Sequence, residues 1–529
     1  MKSLNISFIA LLLLLFSACS KEDFADAYAD PSKIDETSVE RQYTGILVTA
    51  QDYIVPNYRN YFVTLRITLN PWTQSIGWIN TPNQYVPGSS GVEDVWFNYY
   101  GVLAQYREFQ KVWDATDAER QDKLQIFKLT ADAFMYGETQ RMVDLFGNIP
   151  FSTAGLLSTN SGDYANSYAT FDNGKDIYTF MLDELKSISD EMSTLVVEPA
   201  FQTTFAAQDF VNNGSVDLWK RYVNSLRLRM LTRVSDSPDF ASRANTEIAA
   251  ILANPTQYPV VESNDQNIMI DIYDVNTPIN SRGFDQGINS SGWDGDDAPK
   301  KMIDFLKDSG DPRLRVLFEP GLEAGGQYVG LDPMLTGSEQ QALVNEGEIA
   351  FYNRTTTSRN LFFPGVMINA AEVSFLKAEY YLGNGDDAAA KAAYEAGIRQ
   401  SIDFYYYVNS LSNDGISGTP APATEEEIMA LLASDEVSWD AAGSADEKLT
   451  LIAYQKWVHF NIIQPYQNWA EMRRLDVPSL TFWQDNSSTQ TLPPLRWTIP
   501  GNEITFNGDN YRAIQSEDEL DNPIFWDVR

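Results

Sequence analysis

The chain has 529 residues, a formal net charge of −35, and 43% hydrophobic against 21% charged residues. These are globular proportions, and the length exceeds the roughly 250–300 residues at which one core stops growing, so one multi-lobed unit or two domains is expected. The acidic excess repels a phosphate backbone and anionic membrane surfaces, which argues against nucleic acid as a partner. With one cysteine and one histidine, disulfide stapling and Cys/His zinc sites are excluded by count.

The first element is a leader. Lys2 precedes an unbroken apolar run from Phe8 to Phe16, the length of a signal-peptide core and too short for the roughly 20 residues that span a bilayer. Ser17, Ala18 and Cys19 follow. This ending resembles a lipobox, with Phe16 where such boxes usually carry Leu; an ordinary buried cysteine is the plainer alternative. Residues 1–18 are therefore expected to be a signal peptide and Cys19 the lipid attachment. Ser20-Lys21-Glu22-Asp23 resembles a surface-export tag, although a solvated acidic linker would look similar. An outer-membrane, lipid-anchored protein facing the cell surface is expected, with 19–40 as a flexible tether.

The body, 41–529, reads as mostly α. Helical periodicity starts near Thr37. In 93–114, Val95, Tyr99, Val102, Tyr106, Phe109 and Trp113 share a face. Further helices are predicted over 117–145, 172–192, 217–234, 240–253, 370–382, 386–404, 425–433 and 446–474; strand-like runs are few and short. The clearest unit is 370–402. Val373, Leu376 and Tyr380 form a stripe, Gly383–Asp386 makes a turn, and Ala389, Ala393 and Ala396 offer a small-residue face for close approach. Its size is that of a tetratricopeptide unit, but no full signature repeats at a fixed period. Loop-rich insertions cover 68–92, 275–300, 320–365 and 408–424, and long irregular segments in a compact protein are usually functional or disordered.

Little supports catalysis. His459 sits in a helical run, where a packing role outweighs a general base, and there is no nucleophile elbow, phosphate-cradling glycine loop or dinucleotide fingerprint. No cofactor or catalytic metal is expected. Asp294-Gly-Asp-Asp297 and Asp163 near Asn166 are oxygen-rich candidates for a structural calcium, without EF-hand spacing. The aromatic residues of the loops lead further. Trp72, Trp78 and Tyr85 lie in a Pro/Gly-rich stretch, Trp96 opens the next helix, and Trp293 stands among Ser, Gly and Asp. Each either pins its loop to the core or offers a face to a ligand such as a sugar. Trp457 and Trp469 are assigned to packing.

Several segments together resemble the SusD/RagB family of nutrient-binding outer-membrane lipoproteins, in particular its second SusD-like subfamily. They are Tyr136-Gly-Glu-Thr-Gln-Arg-Met-Val-Asp-Leu-Phe-Gly-Asn-Ile-Pro150, Leu218-Trp-Lys-Arg-Tyr-Val-Asn-Ser-Leu-Arg-Leu-Arg229, Gly310-Asp-Pro-Arg-Leu314, Ala371 to Glu379 with Glu395 to Arg399, Gln455-Lys-Trp457 with Trp469-Ala-Glu-Met-Arg-Arg474, and Ile499 to Glu503 with Asn510-Tyr511. The resemblance implies tetratricopeptide-like helix pairs in a superhelical scaffold, a loop-rich ligand-binding part packed on it, and a TonB-dependent SusC-like barrel as transport partner. Three readings stand at this point: a surface protein capturing oligosaccharide for that transporter, the same scaffold binding peptides as RagB-like members do, and a surface glycosidase using two carboxylates.

Overall fold

The computed structural model describes residues 37–288, 296–415 and 418–529. The expectations for residues 1–18, Cys19, Trp293 and Asp294 fall outside the described residues.

The frame is built from α1 (Val39–Ile54), α2 (Ser89–Asp114), α3 (Ala118–Phe146), α4 (Gly174–Thr194), α5 (Val216–Arg233), α6 (Ala241–Ala253), α7 (Ala370–Gly383), α8 (Asp387–Leu411), α9 (Ala445–Phe460) and α10 (Pro465–Leu475). Most start at a side chain suited to the task. Ser38, Asp117, Asn173, Ser215, Asn369, Asp386 and Ser444 each accept a bond from a first-turn N–H, satisfying donors that no helical carbonyl reaches. α1 lies antiparallel to α2, with Gln42 Nε2 donating to Gln105 Oε1 at 2.8 Å. From there helix packs on helix: α3 on α4, α5 on α4, α6 and α7, and α7 on α8 and α9. Strands among the described residues are short antiparallel ribbons. β1 (Ile149–Pro150) pairs with β2 (Phe171–Asp172), β3 (Ile268–Ile270) with β6 (Gly365–Ile368), and β4 (Phe318–Glu319) with β5 (Phe351–Tyr352).

The mostly helical expectation holds, with local corrections. The run 446–474 is two helices, because Pro465 lacks an N–H and sits at the first turn of α10 rather than inside a longer helix. α8 continues to Leu411, beyond the predicted end, and the stretch 320–365 contains a helix, Gly337–Asn345, opened by a Thr336/Glu339 capping box. The α7/α8 pair forms, but the tight approach is offset from the expected alanines. Ala390, Tyr394, Gly397, Ile398 and Ser401 are buried, whereas Ala389, Ala393 and Ala396 are half-buried. A Cβ on Gly397 would lie 2.5 Å from the Phe375 ring, so glycine sets how closely the two axes approach.

Inside the frame the residues of the family-like segments meet as buried charges. Arg229 Nη2 donates to Glu372 Oε2 at 2.8 Å, joining α5 to α7. Glu471 on α10 accepts from Arg233 Nε at 3.0 Å, Lys456 Nζ at 2.7 Å and Arg474 Nη2 at 2.6 Å. Arg474 also reaches Glu379 at 2.7 Å, and Arg233 pairs with Asp144. Burial alone would push Glu471 upward; Arg474, Lys456 and Arg233 together hold it well below the ordinary carboxylate range.

His459 belongs to this interior. Its Nε2 lies 2.9 Å from Asn369 Oδ1 and its Nδ1 2.9 Å from Ser401 Oγ. Arg313 Nη1 donates to the same Ser401 Oγ at 3.0 Å, so the serine hydroxyl is free to donate to Nδ1 and the ring N–H is placed on Nε2. Burial, and then the Arg313 charge, push the imidazole down to about 3. It is a neutral structural joint.

Candidate functional site

The loops that follow α1 and precede α2 hold most of the aromatic candidates, and the structure separates them. Trp72 is 1% exposed; its Nε1 donates to Gln84 O at 3.2 Å and its ring packs on Trp469 at 5.6 Å. Tyr85 is buried and donates its hydroxyl to Trp483 O at 2.5 Å, and burial pushes that hydroxyl up to about 12. Trp96 is buried against Phe146, edge to face, with centroids 5.1 Å apart. These three rings pin loop and helix to the core, and their faces are covered.

Trp78 is different. It is half-buried and closes a stack of planar groups. After α1 the chain turns through a short wide helical turn, Arg59–Thr64, of the π type that recurs at functional sites. Tyr58 just before it, Phe62 within it and Arg66 in the 3-10 turn that follows are spaced four residues apart. The Tyr58 and Phe62 rings are stacked at 5.0 Å and 15°. The Arg66 guanidinium lies 4.1 Å from the Phe62 centroid and 5.4 Å from that of Trp78, the geometry of a cation between two π faces. Tyr58 is 38% exposed, so the ladder opens to solvent at that end. Two glycines let a neighbouring loop lie against its base. A Cβ at Gly283 would sit 2.8 Å from Tyr58 N, and one at Gly287 2.8 Å from Tyr61 Cβ.

Enclosed space nearby is too small for a sugar. The cavity between Trp78, Tyr85, Asn80 and Phe482 has a volume of about 30 Å³, the share of one water molecule. Another, among Tyr53, Glu138, Arg141 and Tyr466, has about 90 Å³, far below the 300–1,000 Å³ typical of ligand pockets. Neither of these two cavities can enclose an oligosaccharide. A larger cleft, about 490 Å³, opens on the helical frame among Asp236, Tyr380, Asp446, Leu449, Arg474 and Arg529.

Of the calcium candidates, Asp294 lies outside the described residues. Asp163 spends its carboxylate inside its own turn, on Ala165 N at 3.0 Å and Asn166 Nδ2 at 2.7 Å. Among the described residues no group of three or more His, Cys, Asp or Glu side chains is placed to hold a metal ion, and no helix is long and apolar enough to cross a membrane.

The structure is thus a helical frame with buried ion pairs that leaves a few aromatic rings partly exposed. The family described as starch-binding, associating with outer membrane (SusD-like) matches residues 36–500, and the chain belongs to it. That membership places the protein among outer-membrane-associated nutrient-binding proteins rather than enzymes, which removes the glycosidase reading. The chain is also similar to solved structures. A SusD homolog from Bacteroides fragilis is 20% identical with a TM-score of 0.73, covering 93% of this chain and 100% of its own. A chitin-binding SusD homolog from Flavobacterium johnsoniae is 20% identical with a TM-score of 0.69, covering 92% and 99%. A SusD homolog from Bacteroides uniformis is 20% identical with a TM-score of 0.65, covering 92% and 99%. At these identities the likeness shows the fold. No curated protein matches the chain.

The ladder was legible only in part. Trp78 stands out in the sequence as a loop indole. Tyr58, Phe62 and Arg66 carried a signal that was missed: their four-residue spacing puts them on one helical face.

Proposed function

We propose that this protein is lipid-anchored through Cys19 after removal of residues 1–18, holds a neutral oligosaccharide on the Tyr58–Phe62–Arg66–Trp78 ladder, and passes it to a TonB-dependent SusC-like barrel. The observation that carries the ligand reading is the stack of planar groups whose ends, Tyr58 and Trp78, are partly exposed, since the C–H face of a sugar ring can lie on such a ring. The family description as starch-binding and the chitin-binding relative support the same ligand class. The charge of −35 favours a neutral chain over a sulfated one.

Isothermal titration of malto- and chito-oligosaccharides tests it. Trp78→Ala should weaken binding of whichever series binds by about 10- to 30-fold, as for an interface hot spot, with an unchanged melting temperature and little dependence on salt. Wild-type affinity in the variant would remove the ladder as the site. For the anchor, cells fed an alkyl-tagged fatty acid should label the wild-type protein and leave Cys19→Ala unlabelled.

A peptide ligand is the second reading, favoured by the 490 Å³ cleft and its charges of both signs. Peptide binding that is lost in Asp446→Asn and unaffected by Trp78→Ala would select it.

A further inference from the structure

The sequence contains four Asn-Gly pairs, at 173–174, 213–214, 384–385 and 507–508. In each, the glycine nitrogen has no side chain beside it to keep it from the asparagine amide carbon, and the fold decides which of the four can react.

Three are held shut. Asn173 caps α4, accepting from Lys175 N at 3.0 Å, while Gly174 N donates to Asn148 Oδ1 at 2.9 Å and a Cβ on Gly174 would lie 2.7 Å from Gly147 O. Gly214 N donates to the buried Asp209 carboxylate at 2.9 Å, and a Cβ there would lie 2.5 Å from Ala206 Cα. Asn507 is 7% exposed and its amide is tied on both sides. Its Nδ2 donates to Ala169 O at 2.7 Å and Glu503 Oε1 at 2.6 Å, and its Oδ1 accepts from Asn510 Nδ2 at 2.7 Å.

The pair at 384–385 is open. It forms the turn between α7 and α8, where residues 383–388 are all exposed and nothing stands within 4 Å of a Cβ position on Gly385. The bonds that hold it are those of the turn itself: Asn384 Nδ2 donates to Tyr380 O at 2.8 Å, Gly385 N to Leu382 O at 3.0 Å and Asp386 N to Tyr381 O at 2.9 Å. Asn384 sits at ψ 6°, so its side chain meets Gly385 N only after rotation about its Cα–C bond. Gly385, at φ +77°, has no side chain to resist that movement, and exposed turns at helix ends open at little cost.

We propose that Asn384 is a site of spontaneous deamidation, with water as the co-reactant. The Gly385 nitrogen gives its proton to a solvent base and attacks Asn384 Cγ. A Cγ–N bond forms, the Cγ–Nδ2 bond breaks, and Nδ2 takes a proton from solvent and leaves as ammonia. Water then opens the cyclic imide. Cleavage at Cγ gives an aspartyl residue on the original backbone. Cleavage at the main-chain carbonyl gives an isoaspartyl residue, whose backbone runs through the side chain and is longer by a methylene. The net change is gain of water and loss of ammonia, with no oxidation. Asn384 lines the 490 Å³ cleft together with Tyr380 and Asp446, so either product adds a negative charge there, and the isoaspartyl form loosens the turn that sets α8 against α7. The inference is independent of the ladder reading.

The test keeps the full chain folded in mildly alkaline buffer and then digests it with trypsin. Cleavage after Lys377 and Lys391 releases residues 378–391, in which Asn384 is the one side-chain amide, so an amide-to-acid mass change in that peptide assigns itself. It should convert at least about tenfold faster than the peptides carrying the other three pairs, and should elute as aspartyl and isoaspartyl forms. In denaturant, where the fold protects none of them, all four should convert at similar rates. Asn384→Gln, whose longer side chain closes such a ring far more slowly, should keep the wild-type melting temperature and lose the acidic satellite band that aged wild type develops on isoelectric focusing. Conversion at 384 no faster than at the other pairs in the folded protein overturns the inference. So does a peptide 378–391 that stays intact in the folded chain while it converts in denaturant. An acidic band that persists in Asn384→Gln puts the labile amide elsewhere and overturns it as well.

Discussion

The helical frame and the loop face treat their costly side chains in opposite ways. The frame buries charge: Glu471 is enclosed with Arg233, Lys456 and Arg474 around it. The loop face leaves large planar groups partly in water, with Tyr58 exposed and Trp78 half-covered. A buried ion cluster contributes little net stability over apolar packing, but it penalises any arrangement that separates its members. Exposed rings contribute little to folding, and where several stand together they suit contact with a ligand. The frame's residues thus specify how helices meet, and the loop face's residues are the ones the proposed function assigns to the ligand.

Breaking the frame should give the largest effect. Glu471→Ala leaves three buried cations, Arg233, Lys456 and Arg474, to share two carboxylates, Asp144 and Glu379, and should cost about 3–5 kcal/mol, read by denaturant unfolding; a loss under about 1 kcal/mol would mean the cluster is hydrated and does not define the fold. Next, Trp72→Ala removes a covered ring and should cost about 3–5 kcal/mol without entering the ligand site directly, whereas Trp78→Ala should change stability far less and binding far more. Equal melting temperatures for the two variants would erase the distinction between pin and platform. Gly397→Ala should cost about 1–3 kcal/mol through overpacking on Phe375, and an unaltered melting temperature would show that the α7/α8 axes can part freely.

The last effect is one of pH. His459 is depressed to about 3 when folded and has an ordinary value of 6.5 when unfolded. Between those values the unfolded chain binds a proton that the folded one does not. The stabilisation tied to keeping the ring neutral is therefore full above about pH 6.5 and is lost as pH falls toward about 3, at ~1.4 kcal/mol per pH unit. Asp527, pushed up to about 6 by burial, works in the opposite direction, since the folded state binds the proton first. Subtracting the curve of His459→Gln isolates the histidine: the stability advantage of wild type should shrink as pH drops from 6.5 to 5. A constant difference would show that the ring protonates in the folded state.

What the sequence revealed follows from the range of the interactions involved. The α7/α8 pair was legible because its signals are local: a cap at Asn369, a turn at Gly383–Asp386, and helix formers on both sides. The identity of its tight face was not, because Gly397 matters only through Phe375 on the other helix. The same limit applies at the ligand face. Trp72 and Trp78 stand six residues apart in one Pro/Gly-rich loop, and only the position of Trp469 decides that the first is covered. The stretch at 337–345 could have been read as a helix, since Thr336 and Glu339 have capping-box spacing. Loop composition outweighed that local signal.

The buried cluster also bears on how many copies can share a membrane. Asp144, Glu379 and Glu471 cancel Arg233, Lys456 and Arg474 inside the frame, so they subtract nothing from the formal −35. That charge lies mostly at the surface, and its field decays over a length of about 8 Å in physiological saline. Copies brought close together in the plane of an outer membrane therefore repel one another over that distance, and so does a polyanion that approaches them, whereas an uncharged solute is not repelled.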